Sequence, residues 1–241
     1  MLSVSASPLF LNLPAEVRQA LLPHLTLVEF KRGQVVVDEL QPVTNISFPL
    51  STLLMIEAPM GNGRYAFTGL LGRHNIVGTH KVHVQPFPDR RVTTLIGGLA
   101  ASCPIEIYTE LYRSNAALQA VMSWLQGQAH RRVAQLAACN ATHNLTERLA
   151  RLLLSLKHLQ GLDELAISHF DLAHILGVRR EAVSRELVLA AEQGALLLNR
   201  RRVQIVDETA LGRRSCSCHE EMRFSGRYDY SALADFVEAR T

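Results

Sequence analysis

Residues 169–188, HFDLAHILGVRREAVSRELV, decide the fold of this chain. They are typical of two short helices joined at Gly177, because glycine can adopt the left-handed conformation of a tight turn. Apolar residues recur every three to four positions in each half, which is the period of a helix packed against a core. They are Leu172, Ala173, Ile175 and Leu176 in the first helix, and Val183, Leu187 and Ala190 in the second. This arrangement predicts a helix-turn-helix, whose second helix enters the major groove of DNA.

The opposite face of the second predicted helix is polar. Residues four apart lie one above the other on a helix, so one ridge carries Arg180, Glu181, Ser184 and Arg185. Arginine can pair with guanine O6 and N7, and glutamate can accept from the cytosine amino group. The ridge therefore favours base recognition. The alternative is a solvated charged face without a partner.

The next stretch, residues 192–211, EQGALLLNRRRVQIVDETAL, predicts a β-hairpin. Gly194 ends the helix, and two apolar runs flank a turn whose chemistry Asn199 would supply. A hairpin directly after a helix-turn-helix is the wing of a winged helix. Its tip would place Arg200, Arg201 and Arg202 near DNA phosphates. An ordinary charged loop does not account for three consecutive like charges.

Composition sets the broad class of the protein. At 241 residues the chain can form two modest domains, and 48% hydrophobic with 20% charged residues is ordinary for a soluble globular protein. The net charge is only +3, so DNA binding would depend on local arginine clusters. No apolar run approaches the roughly 20 residues that span a bilayer. The N-terminus lacks the basic and apolar regions of a secretory signal. We expect a cytoplasmic protein that does not contact membranes.

Two kinds of sequence pattern precede the helix-turn-helix. Residues 8–24 look helical, and residues 25–108 form short apolar runs separated by Gly, Pro and Asn, which predict an all-β roll or barrel. Residues 108–139 contain no Pro and one Gly, and they predict a helix of about 30 residues. A second helix, roughly residues 145–160, leads into the winged helix.

The long predicted helix carries a near-heptad apolar stripe. Its members are Leu111, Leu118, Leu125 and Arg132, seven residues apart, with Met122, Ala129 and Leu136 as a companion series. Burial of this stripe against a symmetry mate predicts a homodimer, since two-fold dimers are the commonest oligomers. The alternative is that the helix packs on its own β-domain.

The order of these elements predicts an α+β fold. It comprises a jelly-roll-like β-roll sensor domain at residues 1–110, a dimerisation helix at 111–141, a winged helix-turn-helix DNA-binding domain at 142–212 and a C-terminal tail at 213–241.

This organisation resembles the cyclic-AMP receptor protein/FNR (Crp/Fnr) superfamily of bacterial transcription regulators. The stretch Gly177-Val-Arg-Arg-Glu-Ala-Val-Ser-Arg is similar to the family signature G-x-S-R-E-T-V-x-R, and residues 138–153 resemble a subgroup's segment that joins the domains. The resemblance implies that Arg180, Glu181 and Arg185 read bases. Arg179, which replaces the usual Ser, would add a phosphate contact. His169 and Ser184 complete the predicted DNA-binding set. Glu186 departs from the family, since that place is often apolar.

The resemblance also implies a position for an effector. Nucleotide-binding members carry Gly-Glu in a short helix of the roll, followed by an Arg-Ser/Thr-Ala segment. The matching residues here are Gly78, Thr79, Arg90, Arg91 and Thr93, which form the candidate effector site. Thr79 replaces the Glu that takes a ribose hydroxyl, and this replacement argues against cyclic AMP. Another anion, another nucleotide or no ligand are all open, and Arg91 can equally be a solvated charge.

Metal and catalytic signals are weak. Oxygen-sensing relatives bind an iron–sulfur cluster through N-terminal cysteines, whereas the first cysteine here is Cys103, so no such cluster is expected. Cys216 and Cys218 form a C-x-C pair without an obvious second pair from Cys103 or Cys139. A tail that contains cysteines is favoured, and no metal site is expected. No phosphate-binding Gly-rich loop or catalytic triad order is present, so we expect no enzyme.

These inferences predict a cytoplasmic homodimeric transcription regulator that binds double-stranded DNA. RNA polymerase and a small-molecule effector are further candidate partners. The alternative is a nucleotide- or metabolite-binding module whose winged helix mediates protein contacts.

Overall fold

The computed structural model of the chain describes residues 4–79, 82 and 88–219. Residues 220–241, most of the expected tail, lie outside this part. The chain begins with the helices α1 (Pro8–Leu11) and α2 (Ala15–Leu21). The helix expected over residues 8–24 is therefore interrupted. Pro14 precedes α2 in an extended conformation and restricts the residue before it to non-helical angles.

The β-domain is a roll of two antiparallel sheets, as predicted. One sheet has the order β1-β7-β3 and the other β2-β6-β4-β5. Their strands are β1 (Thr26–Phe30), β2 (Val35–Val37), β3 (Asn45–Pro49), β4 (Leu53–Pro59), β5 (Tyr65–Leu71), β6 (Arg91–Ile96) and β7 (Gly98–Pro104). Ile46, Phe48 and Leu54 are fully buried in its core. Because strand side chains alternate between faces, β4 and β6 also present residues to the outer face of their sheet.

The long helix is broken near its beginning. The structure has α3 (Ile105–Ser114) and α4 (Ala116–Thr142), separated by Asn115 in an extended conformation. The Asn115 side chain accepts a hydrogen bond from the Leu118 backbone N–H at 2.7 Å, which is the geometry of an N-cap. The continuous helix expected over residues 108–139 is therefore wrong at its start, because Asn115 ends one helix and caps the next.

The near-heptad stripe of α4 lies against the chain's own roll. Leu118 and Met122 are buried in the core of the roll. Farther along, Leu125, Ala129 and Leu136 line cavities whose other walls include Ile56 and Leu71 of the roll. The first part of the stripe thus packs on the roll, whereas Leu125 and Leu136 are half-buried and Ala129 is exposed, so burial of this later part against a symmetry mate stays a prediction.

The C-terminal part folds as a winged helix-turn-helix. Its elements are α5 (Leu145–Gln160), β8 (Glu164–Leu165), α6 (His169–Leu176), α7 (Arg180–Glu192), β9 (Leu196–Asn199), β10 (Arg202–Ile205) and α8 (Glu208–Arg214). The seven apolar residues predicted to face inward from α6 and α7 are all buried. Gly177 has φ +67°, as the tight turn requires. The prediction of this motif is confirmed.

The two domains pack closely on each other. The hydrophobic core of the winged helix continues into the roll at Leu53, Leu95 and Ile96. At Gly72, which follows β5, an added Cβ would lie 2.6 Å from the carbonyl oxygen of Leu159 in α5, so this approach requires glycine. Among the described residues, no helix has the length and apolar character to cross a bilayer.

Candidate DNA-binding surface and effector cavity

The predicted recognition helix, α7, presents its charged ridge to solvent. Arg180, Glu181 and Arg185 are exposed, and so is Arg179, which directly precedes the helix. The opposite face is anchored because Val183 and Leu187 are fully buried. The ridge is therefore held rigidly by the core without being covered by it, which is the arrangement that a groove-binding helix needs.

His169 and Ser184 lie behind this ridge and connect the two helices. His169 Nδ1, at the start of α6, lies 2.9 Å from Ser184 Oγ in α7, and both residues are half-buried. Burial, together with the charge of Arg180, lowers the pKa of His169 below its usual 6.5. The imidazole is therefore neutral near pH 7. This contact joins α6 to α7 behind the ridge.

Glu186, the departure from the family pattern, is accommodated by polar partners. Thr146 Oγ1 of α5 donates a hydrogen bond to Glu186 Oε2 at 2.7 Å. Arg214 Nη2 of α8 donates to the same oxygen at 3.2 Å. A partly buried carboxylate is tolerated when it is hydrogen-bonded and paired with a cation in this way. These partners were not predictable from the sequence, since they are 40 and 28 residues away from Glu186.

The wing is the predicted hairpin with a different turn residue. Arg202 pairs with Asn199 across β9 and β10, so the turn consists of Arg200 and Arg201. Arg201 has φ +58°, whereas Asn199 lies in a strand. The expectation that Asn199 supplies the turn chemistry is therefore wrong. Arg202 belongs to β10 and forms an ion pair with Glu164 of β8, so the exposed tip carries two arginines instead of three.

A cavity of about 350 Å³ lies between the roll and α4. Three of the candidate effector residues, Gly78, Thr79 and Arg90, line it together. Gly78 has φ +92°, and an added Cβ would lie 2.4 Å from the carbonyl oxygen of Asn45, so glycine alone lets this loop approach β3. From α4 the wall receives Met122, Leu125, Gln126, Ala129, His130, Arg132 and Val133.

The other two candidate effector residues point away from this cavity. Arg91 and Thr93 lie on the outer face of β6, while Val92 between them lines the cavity, as the alternation of a strand dictates. Arg91 Nε and Nη2 donate to Glu57 Oε2 at 3.2 and 3.1 Å, and Thr93 Oγ1 donates to it at 2.8 Å. The Arg91 guanidinium also lies 3.5 Å from the centre of the Tyr65 ring. The assignment of Arg91 and Thr93 to an effector site is therefore not supported by their positions.

Glu57 connects this outer face to the helix-turn-helix. Its side chain is 2% exposed, and Glu57 Oε1 lies 3.1 Å from His174 Nε2 of α6. Nearby, Arg32 Nη2 of the roll lies 2.5 Å from Asp171 Oδ2, also in α6. Sequence reasoning missed these contacts because they join residues more than 100 positions apart. They place the first helix of the helix-turn-helix directly on the roll.

Comparisons with known proteins agree with this architecture. Residues 147–214 match the family model of the Crp-like helix-turn-helix domain. A Crp/Fnr-family transcriptional regulator from Eubacterium rectale is 20% identical, covers 87% of this chain and 98% of its own, and superposes with a TM-score of 0.64. FixK2 from Bradyrhizobium japonicum is 16% identical, covers 80% and 98%, and has a TM-score of 0.66.

A third similar structure is the c-di-GMP-responsive global regulator CLP from Xanthomonas campestris. It is 17% identical, covers 80% of this chain and all of its own, and has a TM-score of 0.62. No curated protein matches the chain. The chain therefore carries a Crp-like helix-turn-helix domain at residues 147–214 and has the fold of these solved regulators over most of its length.

Proposed function

We propose that the chain regulates transcription by binding a specific DNA site through α7 and the wing. The observation that carries this proposal is the exposed ridge of Arg180, Glu181 and Arg185 on a helix whose opposite face is buried. The two arginines suit guanine and the glutamate suits cytosine. Arg179 and the wing-tip residues Arg200 and Arg201 would contact phosphates, which fix register without reading sequence.

The proposed active form is a homodimer formed through the outward face of α4. This face carries small residues, Gly127, Ala134, Ala138 and Ala141, all of them exposed. Small side chains let two helices approach closely, since interaxial distance depends on the residues at the contact. A two-fold dimer would place its recognition helices in successive major grooves, about 34 Å apart.

The cavity beside α4 is the proposed effector site, and a phosphate-bearing ligand suits it best. Arg90 supplies a cation, and Arg132 and His130 lie on the facing helix. CLP is named for its response to c-di-GMP, which makes a cyclic nucleotide one candidate class. Thr79 lacks the charge and the second oxygen with which a carboxylate accepts from ribose hydroxyls, so cyclic AMP is disfavoured. A ligand here would act on α4, which forms one wall of the cavity and continues towards the DNA-binding domain.

DNA binding can be tested without knowledge of the operator. The purified protein would first select duplexes from a random pool, and fluorescence anisotropy would then compare selected and random DNA. Arg180→Ala should weaken binding to the selected site by about 1–3 kcal/mol and relax one base preference per half-site. Arg201→Ala should weaken binding to both DNAs nearly equally and reduce the salt slope by about one.

Arg113→Ala is the matched control, because Arg113 is an exposed arginine on α3, outside the proposed surface. It should leave both affinities unchanged. If no sequence were enriched, and duplex DNA bound without steep salt dependence, the chain would be a ligand-binding module whose winged helix contacts proteins. If Arg180→Ala and Arg201→Ala behaved alike on both DNAs, the division between base and phosphate contacts would be wrong.

A further inference from the structure

Four side chains of the types that bind metals come together where the end of α4 meets the segment after α8. Cys139 and His143 lie at the end of α4, one helical turn apart, and Cys216 and Cys218 follow α8. Their ligand atoms all lie within 4.8 Å of one another, and His143 Nε2 is 3.3 Å from Cys218 Sγ. In the sequence alone, Cys216 and Cys218 form a pair in the tail without an obvious second pair. The fold supplies that pair.

We propose that these four residues bind one zinc ion as a Cys₃His site. A tetrahedral zinc with Zn–S bonds of about 2.3 Å requires sulfur atoms about 3.8 Å apart, so the observed cluster needs only a small contraction. An iron–sulfur cluster would place its own iron and sulfide atoms between the ligands and would hold them farther apart. Thiolate and imidazole ligands in tetrahedral reach select zinc over harder cations such as Mg²⁺ or Ca²⁺.

The surroundings of the cluster also suit a metal. His143 Nδ1 lies 3.7 Å from Glu147 Oε2, so a carboxylate is near the ring nitrogen that does not face the sulfurs. Such a carboxylate typically orients a metal-bound histidine. Gln135 Nε2 lies 3.6 Å from Cys139 Sγ and can donate to it. Three thiolates with one zinc carry a net charge of −1, which the buried Arg151, close enough to act electrostatically on Cys216, would offset.

The burial of two of the cysteines favours a structural metal site over a redox-active cysteine pair. Cys139 and Cys216 are 0% and 3% exposed, and reactive cysteines that exchange disulfides are partly exposed. Four protein ligands also leave no open coordination position, as in structural zinc sites. The ion would join the end of α4 to the end of the winged helix across the junction at residues 143–144. It would thereby fix the orientation of the DNA-binding domain on α4.

Metal content of the purified full-length chain tests this site directly. After incubation with zinc and removal of excess, elemental analysis and native mass spectrometry should find about one zinc per chain. Cys139→Ser and Cys218→Ser should each lose stoichiometric zinc. Cys103→Ala is the matched control, since Cys103 is a buried cysteine in the roll, and it should retain one zinc per chain. Circular dichroism would establish that each variant is folded.

The wild-type chain provides a second measurement if the serine variants do not fold. Substitution with Co²⁺ should give the intense visible bands of a tetrahedral thiolate site, and removal of zinc by a chelator should lower the melting temperature. Retention of one zinc by Cys218→Ser would overturn the proposal. So would a zinc-free protein whose mass shows a disulfide among these cysteines, or a purified protein that contains an iron–sulfur cluster. None of these outcomes depends on whether the chain binds DNA.

Discussion

The partner of a charged side chain decides its role, and Glu57 illustrates this at the scale of one residue. A buried carboxylate is stable only when it is paired and hydrogen-bonded, and Arg91, Thr93 and His174 surround this one. A ligand that captured Arg91 would leave Glu57 without its counter-charge. The neighbouring Arg90 does not pair with Glu57 and lines the cavity on the other side of the sheet. The effector site should therefore depend on Arg90.

His74 gives a pH prediction at the same scale. Burial is the main cause that lowers its pKa to about 3, and His158, Arg73 and Arg132 lower it further. Between that value and 6.5 the unfolded chain binds a proton that the folded chain does not bind. The free energy of unfolding should therefore fall as the pH is lowered from about 7 to 4, by up to about 1.4 kcal/mol per pH unit for this group.

His74→Phe keeps a ring that can stack on His158, whose ring centre is 5.0 Å from that of His74, and it removes the titrating group. Urea unfolding at about pH 7, 6 and 5 should show a shallower pH dependence for this variant than for the wild type. His24→Gln, at an exposed histidine, is the control and should keep the wild-type slope. Equal slopes for His74→Phe and wild type would contradict the assignment.

At the scale of elements, α4 has two opposite faces, one packed on the roll and one exposed to solvent. One face packs on the roll through Leu118 and Met122. The other exposes Gly127, Ala134 and Ala138 to solvent. A sequence repeat indicates that a face is buried without indicating the partner that buries it. The repeat alone therefore does not choose between the roll and a symmetry mate as the partner of the stripe, and small residues such as Ala134 do not enter it.

Ala134→Glu tests the outward face of α4. A carboxylate in the middle of a close helix–helix contact would be buried without a partner, so the dimer should weaken by several kcal/mol and the monomer should stay folded. Sedimentation velocity over a range of concentrations measures this change. Gln126→Glu is the matched control, because it adds the same charge at an exposed residue of the same helix beside the cavity. A purely dimeric Ala134→Glu variant would show that another surface mediates dimerisation.

The elements that the sequence predicted well are those whose signals are local. The bounds of α5 follow from its leucine repeat and from the stop at Gly161, which has φ +78°. The helix-turn-helix follows from its apolar spacing and Gly177. The break at Asn115 was missed because one capping residue does not disturb the repeat around it. The Cys139–Cys216 proximity was missed because only the tertiary fold brings residues 77 positions apart together.

At the scale of the whole molecule, the roll and the winged helix pack as one unit. The core of the winged helix includes Leu53, Leu95 and Ile96 of the roll, and the ionic contacts of Glu57 and Arg32 attach α6 to the roll. The inner side of the sheet that contains Glu57, at Ile56 and Val92, lines the proposed effector cavity. The proposed effector cavity and the helix-turn-helix therefore lie on opposite sides of the same strands. This geometry provides a short physical connection between the two sites.

The contact between Glu57 and His174 should be energetically coupled, and a double-mutant cycle measures that coupling. Glu57→Gln alone should destabilise the chain by about 1–3 kcal/mol, because Arg91 loses a buried charged acceptor. His174→Gln alone should cost less, since its side chain is 34% exposed. If the two groups interact as the structure indicates, the double variant should depart from the sum by at least about 0.5 kcal/mol in the free energy of urea unfolding.

Glu110 provides the control pair for this cycle, because it is an exposed carboxylate on α3. Glu110→Gln combined with His174→Gln should be additive within about 0.5 kcal/mol, as expected for distant residues. Additivity of the Glu57 and His174 variants as well would mean that α6 does not rest on the roll in solution. Unfolding can also be followed by circular dichroism and by the fluorescence of Trp124, which packs against the shared core. A single transition seen by both probes, together with coupling between Glu57 and His174, would establish that the two domains unfold as one unit.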